Sequence, residues 1–370
     1  MVKALVIVTG GAGFIGSHLV DALLKKGYRV RVLDSLKPPA HNGKLPEWFN
    51  RKADFIRGDV FDRKVLTKAL GGVGSVFHLA GYMDYLPSFS RYFTTNASST
   101  ALLYEIIKEK RLPIGKIVVV SSQAVYGEGK YECSQHGVIY AEPRPENRLK
   151  KQQWEALCPY DRKVLKPLPE KEYDWPNPQT PYGISKLAGE KTAMVLGKIY
   201  NIPTTIVRYS IVHGIRQSFR NFYSGALRVF AVQALNRKPL TLHEDGNQSR
   251  DFVNVKDVTS AHLKILEDQR TDFEVFNIGS GRTARVLDLA KAVAQVTGVS
   301  SNFVIRGEYR LHTPRHQMMD ISKLRRLGWK PKSTLEDNVK EYVQWVSRYP
   351  EALDYLRRNL SVLAKEKVIR

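Results

Sequence analysis

A glycine turn set between an apolar run and an amphipathic run places the first constraint on this chain. Residues 2–8 are nearly all apolar, Thr9-Gly10-Gly11-Ala12-Gly13-Phe14-Ile15-Gly16 follows, a helical pattern comes next, and a second apolar run ends at Asp34. Strand, glycine turn, helix and acid-tipped strand is an order with few physical uses. The glycines permit a tight turn and let backbone N–H groups approach a pyrophosphate at a helix N-terminus. A carboxylate ending the second strand accepts hydrogen bonds from ribose hydroxyls and repels a 2′-phosphate. The pattern predicts a site for NAD rather than NADP, with Gly10, Gly13, Phe14, Ile15, Gly16 and Asp34 against the cofactor.

The same alternation continues through the first half, which predicts an α/β fold built on a doubly wound parallel Rossmann sheet. Further strands read at 54–57, 75–79, 116–120 and 204–208, with helices at 97–110 and 182–200. Open α/β sheets bind ligands beyond the carboxyl ends of their strands. Asp59 and Val60 are therefore placed near the adenine, and Leu79, Ala80 and Gly81 along the cofactor, with Asn96 at the same rim. Tyr209 joins the expected cofactor contacts. The domain reading is 1–205 for the Rossmann unit, including a polar, proline-punctuated insertion at 128–181. Residues 206–347 form mainly a smaller mixed α/β substrate lobe, with some segments returning to the first unit. Residues 348–370 read as a solvated surface helix with a frayed basic end.

Composition excludes several classes. Hydrophobic residues make up 43% of the 370, yet no apolar run approaches the roughly 18 residues that a membrane span needs. The apolar N-terminus reads as a buried strand and not as a secretory leader. Two cysteines provide no disulfide framework, which fits a cytoplasmic protein. The net charge of +22 attracts phosphates in general, but the charges are scattered and no nucleic-acid motif accompanies them. A basic surface, without specific nucleic-acid binding, is the expectation.

The candidate chemistry lies in two places. Ser122 follows the strand at 116–120 and so belongs at the ligand edge of the sheet. Tyr182 and Lys186 open the later helix at i, i+4 and share one face. A tyrosine near its reference pKa of about 10 is a poor base at neutral pH. A neighbouring ammonium and the positive nicotinamide of an oxidised cofactor both favour its phenolate, so together they are expected to lower Tyr182. Ser122, Tyr182 and Lys186 would then support hydride transfer at a secondary alcohol, with Tyr182 as general acid/base and also, with Lys186, in contact with the cofactor.

These residues give the chain its resemblance to the extended short-chain dehydrogenase/reductases, and within them to the nucleotide-sugar epimerase/dehydratase branch. Arg250-Asp251-Phe252-Val253-Asn254-Val255-Lys256-Asp257-Val258 and Phe276-Asn277-Ile278-Gly279-Ser280-Gly281 are similar to two further family segments. The resemblance implies a nucleotide-diphosphate sugar as substrate, held by Ser122, Asn221, Arg250 and Arg315, and a homodimer. Departures are visible too. Ile211 stands where the family often has asparagine, and His312-Thr313 replaces a frequent Gly-Asp. Gln123 and Ala124 follow Ser122 where dehydratases carry acids, so elimination is disfavoured and C4 epimerisation is the expected reaction, on a UDP- or dTDP-hexose. The insertion resembles that of bacterial dTDP-L-rhamnose 4-epimerases. A ketosugar reductase or dehydrogenase of the same superfamily is the alternative; a non-catalytic dinucleotide sensor fits the intact triad poorly. Cys133-x2-His136 and Cys158-x2-Asp161 have the spacing of a tetrahedral zinc knuckle, although a carboxylate ligand is unusual there.

Overall fold

A computed structural model describes residues 4–85, 87–221, 225–300 and 303–370. Its centre is a seven-stranded parallel sheet. The strands are Leu5–Thr9, Arg29–Asp34, Asp54–Arg57, Ser75–His78, Lys116–Ser122, Thr204–Tyr209 and Glu274–Ile278. In space they run from Glu274 through Thr204, Lys116, Ser75, Leu5 and Arg29 to Asp54, naming each by its first residue. Val6, Ile7 and Val8 are all fully buried, because helices cover both faces and neither needs polar side chains. Val8, Phe77, Val118 and Val207 pack on one side with Leu19, Leu23, Val258 and Ile265. Ile7, Val76, Ile117 and Ile206 pack on the other with Leu66, Leu103, Ile107 and Ala193.

The chain order reverses between the strands that begin at Leu5 and Ser75, which opens a crevice at their carboxyl ends. Register then selects what faces it: Thr9 lies opposite His78, and Ser122 opposite Tyr209. A second core, with Leu227, Phe230, Leu289, Val293, Val339 and Tyr342, lies under helices Gly225–Leu235, Val286–Thr297 and Leu335–Val346. The insertion folds on Lys130–Cys133, paired antiparallel with Gly137–Tyr140 and Lys166–Leu168. It has a small core of its own, including Tyr131, Cys133, Ala156, Cys158 and Leu165.

Two local expectations are revised. The helix expected over 97–110 runs Ser99–Glu109, preceded by a widened turn at Thr94–Ser98. The C-terminal helix, Ala352–Lys365, is not solvated: Leu356 and Leu363 are buried, and Ala352 and Leu356 join the second core. Its apolar stripe at helical spacing finds a partner surface that the sequence does not display. Among the described residues no helix is long and apolar enough to cross a membrane.

Candidate active site

The crevice is the mouth of a cavity of 1410 Å³ between the sheet's carboxyl edge, the smaller sheets and the C-terminal segment. Gly10 takes φ +69°, and a Cβ there would stand 3.0 Å from the Ala80 backbone. The turn can therefore press against Leu79 and Ala80 only as glycine. Gly16 has no room for a Cβ against the Gly10 carbonyl, which seats the helix Phe14–Lys25 tightly on the turn. Asp34 is buried at the cavity wall. Its carboxylate accepts the Ala12 N–H at 3.1 Å and the Leu36 N–H at 2.9 Å, and one oxygen lies 3.7 Å from His41 Nε2. Each oxygen keeps a second lone pair for a ribose hydroxyl. Asp59 pairs with Lys37 at 2.9 Å beside it.

The helix Pro181–Ile199 starts where local chemistry dictates. Thr180 accepts the Gly183 N–H at 3.1 Å, and Pro181 occupies the first turn, where its missing N–H costs nothing. Tyr182 and Lys186 consequently face the sheet edge. Ser122 accepts the Ala124 N–H at 3.2 Å and hydrogen-bonds with Tyr182. Lys186 Nζ is buried and donates to the Val120 carbonyl at 2.8 Å.

The protein's own groups shift this pair in the other direction. Burial pushes the Tyr182 phenol up to about 12, and the Ser122 hydrogen bond opposes that only in part. The ammonium does not counter it. Lys186 is turned to a backbone carbonyl, and burial lowers it to about 8. Ligand-free burial thus holds the pair toward its neutral forms.

Of the nineteen cofactor- and substrate-site residues expected from sequence, seventeen line this one cavity: Gly10, Gly13, Phe14, Ile15, Gly16, Asp34, Asp59, Val60, Leu79, Ala80, Gly81, Ser122, Tyr182, Lys186, Tyr209, Asn221 and Arg250. Two others do not. Asn96 stands behind the wall, accepting the Tyr82 N–H at 2.8 Å and donating to the Tyr82 carbonyl and to Ser185. It clamps the loop after His78 to the helix Pro181–Ile199. Arg315 is the larger correction. Its guanidinium is 1% exposed and fully engaged by Glu155, Glu244 and Asp245 at 2.7–3.0 Å. Two of those acids come from near residue 245 and one from the insertion, so no short-range pattern exposes the neutralisation.

Arg310, five residues earlier in the chain, is placed differently. It lines the cavity, stacks 4.9 Å over the Tyr85 ring and donates to its hydroxyl, and pairs with no acid among the described residues. Arg250 is held by the carbonyls of Ser249, Pro314 and Arg315, again without an ion pair among the described residues. Carbonyl partners fix a guanidinium without neutralising it, which leaves two cations for a phosphate-bearing ligand. Thr9 and His78 were also missed. Thr9 Oγ1 bonds His78 Nδ1 and receives the Ala80 N–H, and His78 Nε2 bonds Ser99.

Cys133, His136, Cys158 and Asp161 converge in the insertion, with ligand atoms all within 4.8 Å of one another. Both sulfurs lie 3.4 Å from His136 Nδ1, and Asp161 is 3.8 Å from it and from Cys133.

The model of the NAD dependent epimerase/dehydratase family matches residues 6–279. The chain is a member of that family. Among its relatives, the dTDP-L-rhamnose 4-epimerase of Burkholderia thailandensis is 32% identical over 351 residues, covering 93% of this chain and 95% of that protein. A putative UDP-glucose 4-epimerase of Methanocaldococcus jannaschii is also 32% identical, over 92% of this chain and 98% of that protein. The UDP-glucuronic acid 4-epimerase of Bacillus cereus, solved with UDP-glucuronic acid and NAD, superposes with a TM-score of 0.76 at 29% identity, covering 93% of this chain and 99% of that one. The matched region of this family member includes the glycine turn, Asp34, Ser122, Tyr182 and Lys186.

Proposed function

We propose that the protein is an NAD-dependent nucleotide-sugar 4-epimerase that acts on a UDP- or dTDP-hexose. One observation carries the reading. Ser122, Tyr182 and Lys186 meet on one wall of a cavity that also holds Arg250 and Arg310, two guanidiniums without an ion pair among the described residues, and the residues after Ser122 are Gln123 and Ala124. Gly10, Gly13, Gly16, Asp34 and Lys186 fit NAD: the turn leaves backbone room, the carboxylate keeps lone pairs and the ammonium lies at the wall. NAD, when bound, supplies a reversible acceptor for the hydride on C4. Tyr182 takes the proton of the C4 hydroxyl and returns it, and Ser122 holds the same oxygen by hydrogen bond. Lys186 holds the ribose and favours the phenolate when its charge faces the cofactor. Arg250 and Arg310 anchor the diphosphate, so the hexose can turn about that anchor and present its other face. Asn96 acts as a positioning residue.

The test is incubation of purified protein with a panel of nucleotide hexoses and no added cofactor. C4 interconversion without net NADH supports the epimerase. Stoichiometric NADH with accumulating ketosugar favours the dehydrogenase reading.

The unpaired cysteines support a reducing cytoplasm. Ile184, Val195 and Ile199, left exposed along the catalytic helix, support a homodimer packed through it. Cys133, His136, Cys158 and Asp161 are read as ligands of a structural zinc ion. Bond lengths of about 2.3 Å to sulfur and about 2.0 Å to nitrogen imply tetrahedral edges of roughly 3.5 Å, and the 3.4 Å separations match. Metal analysis of protein purified without chelator should give close to one zinc per chain, reduced in Cys158→Ser; a value near zero for the unaltered protein removes the site.

A further inference from the structure

Three of the five buried arginines among the described residues are matched by acids. Arg208 faces Glu190, Arg144 faces Glu244, and Arg315 faces three carboxylates. Arg250, held by carbonyls, and Arg228 are not matched. Arg228 projects from the helix Gly225–Leu235, is 2% exposed, and lines the cavity. Its Nη1 donates to the Phe219 carbonyl at 3.0 Å, and its buried Nε has no partner. No acid among the described residues pairs with it. Burial holds its guanidinium below the usual range, and the groups it then feels most are the Tyr342 hydroxyl and another cation, Arg310. That hydroxyl is likewise buried without a partner.

An uncompensated guanidinium away from water costs several kcal/mol, and a fold that retains one needs a counter-charge from elsewhere. Arg228 and Arg310 repel each other across the same wall that carries Arg250, so an anion between them relieves two penalties at once. We propose that Arg228 is an anion-recognition residue of the substrate site, its missing counter-charge being the diphosphate of the nucleotide sugar. The inference rests on the nucleotide-sugar reading above and adds a contact that the sequence motifs do not mark. A uronate carboxylate on the sugar would offer related chemistry, but every nucleotide sugar carries the diphosphate, and Arg310 and Arg250, read above as its anchors, line the same cavity.

The experiment compares the full chain with Arg228→Gln and Arg228→Met. It measures Kd for UDP, dTDP, UDP-glucose and UDP-glucuronic acid, the kcat and KM of epimerisation, NAD content, and the Tm without nucleotide. A lost charge-assisted hydrogen bond weakens UDP and both UDP-sugars together by roughly 10- to 100-fold. NAD content and kcat should stay near the unaltered values. The Tm without nucleotide should hold or rise, because a strained charge has been removed. A fall in that Tm with Kd unchanged marks Arg228 as merely structural and overturns the proposal. Weakening confined to UDP-glucuronic acid also overturns it, since the residue would then read the sugar. Failure of the unaltered protein to bind any of these nucleotides overturns the nucleotide-sugar reading itself.

Discussion

Replacing Lys186 with methionine separates the cost of a buried ammonium from its use. The side chain is buried, and its Nζ has one carbonyl partner, the Val120 oxygen. Burial moves its pKa from 10.5 to about 8, which at about 1.4 kcal/mol per unit makes the charged form a burden of about 3 kcal/mol on the native state. Methionine has a similar length and no charge. It forfeits one hydrogen bond, worth about 1 kcal/mol, so the variant should be more stable by about 2 kcal/mol at pH 7. The sign with pH follows from proton binding. Between pH 8 and 10.5 the unfolded chain keeps a proton that the native chain has released, so the unaltered protein gains stability as pH rises. The burden is complete below pH 8 and absent above 10.5, and the difference between the two proteins should shrink across that window. Urea unfolding of both proteins, stripped of cofactor, at half-unit steps from pH 7 to 10.5 measures it. A methionine variant that is less stable at pH 7, or a difference independent of pH, would refute the reasoning.

Tyr182→Phe should lower turnover by about 100- to 10,000-fold, the usual worth of a positioned acid/base, while bound NAD measured by absorbance after denaturation stays unchanged. Arg315→Met should leave Asp245 without its partner and Glu155 with His316 alone, and destabilise the fold by about 1–3 kcal/mol, with the KM of the remaining folded enzyme little altered. Arg250→Met should do the reverse, raising KM by roughly tenfold or more and leaving the Tm nearly in place. Thermal melts beside steady-state kinetics on both variants decide the pair.

What could be read from sequence was what short stretches of chain decide for themselves. The glycine turn, Asp34 at a strand end and a helix opening near Tyr182 depend on neighbours a few residues away. The i, i+4 placement of Tyr182 and Lys186 follows from helix geometry alone. The exchange of Arg315 for Arg310 could not be read this way. Five positions separate them in the chain, but whether either keeps its charge free depends on Glu155, Glu244 and Asp245 arriving from distant segments. The direction of the Tyr182 shift was hidden for a related reason. Spacing places an amine nearby, but it does not reveal that the amine turns to Val120 or how much water both groups lose. The C-terminal helix misled because an amphipathic pattern shows a sticky face without naming the surface that receives it.

The acid cluster around Arg315 has a practical bearing on engineering. Its members come from the insertion, from the turn at Glu244 and Asp245, and from the stretch that carries Arg315 itself. Grafting any one of these loops from a relative would strand a charge in the interior. Altering which hexose is accepted therefore calls for the three pieces to be transplanted as a set, or for the cluster to be rebuilt with uncharged side chains before any loop is exchanged.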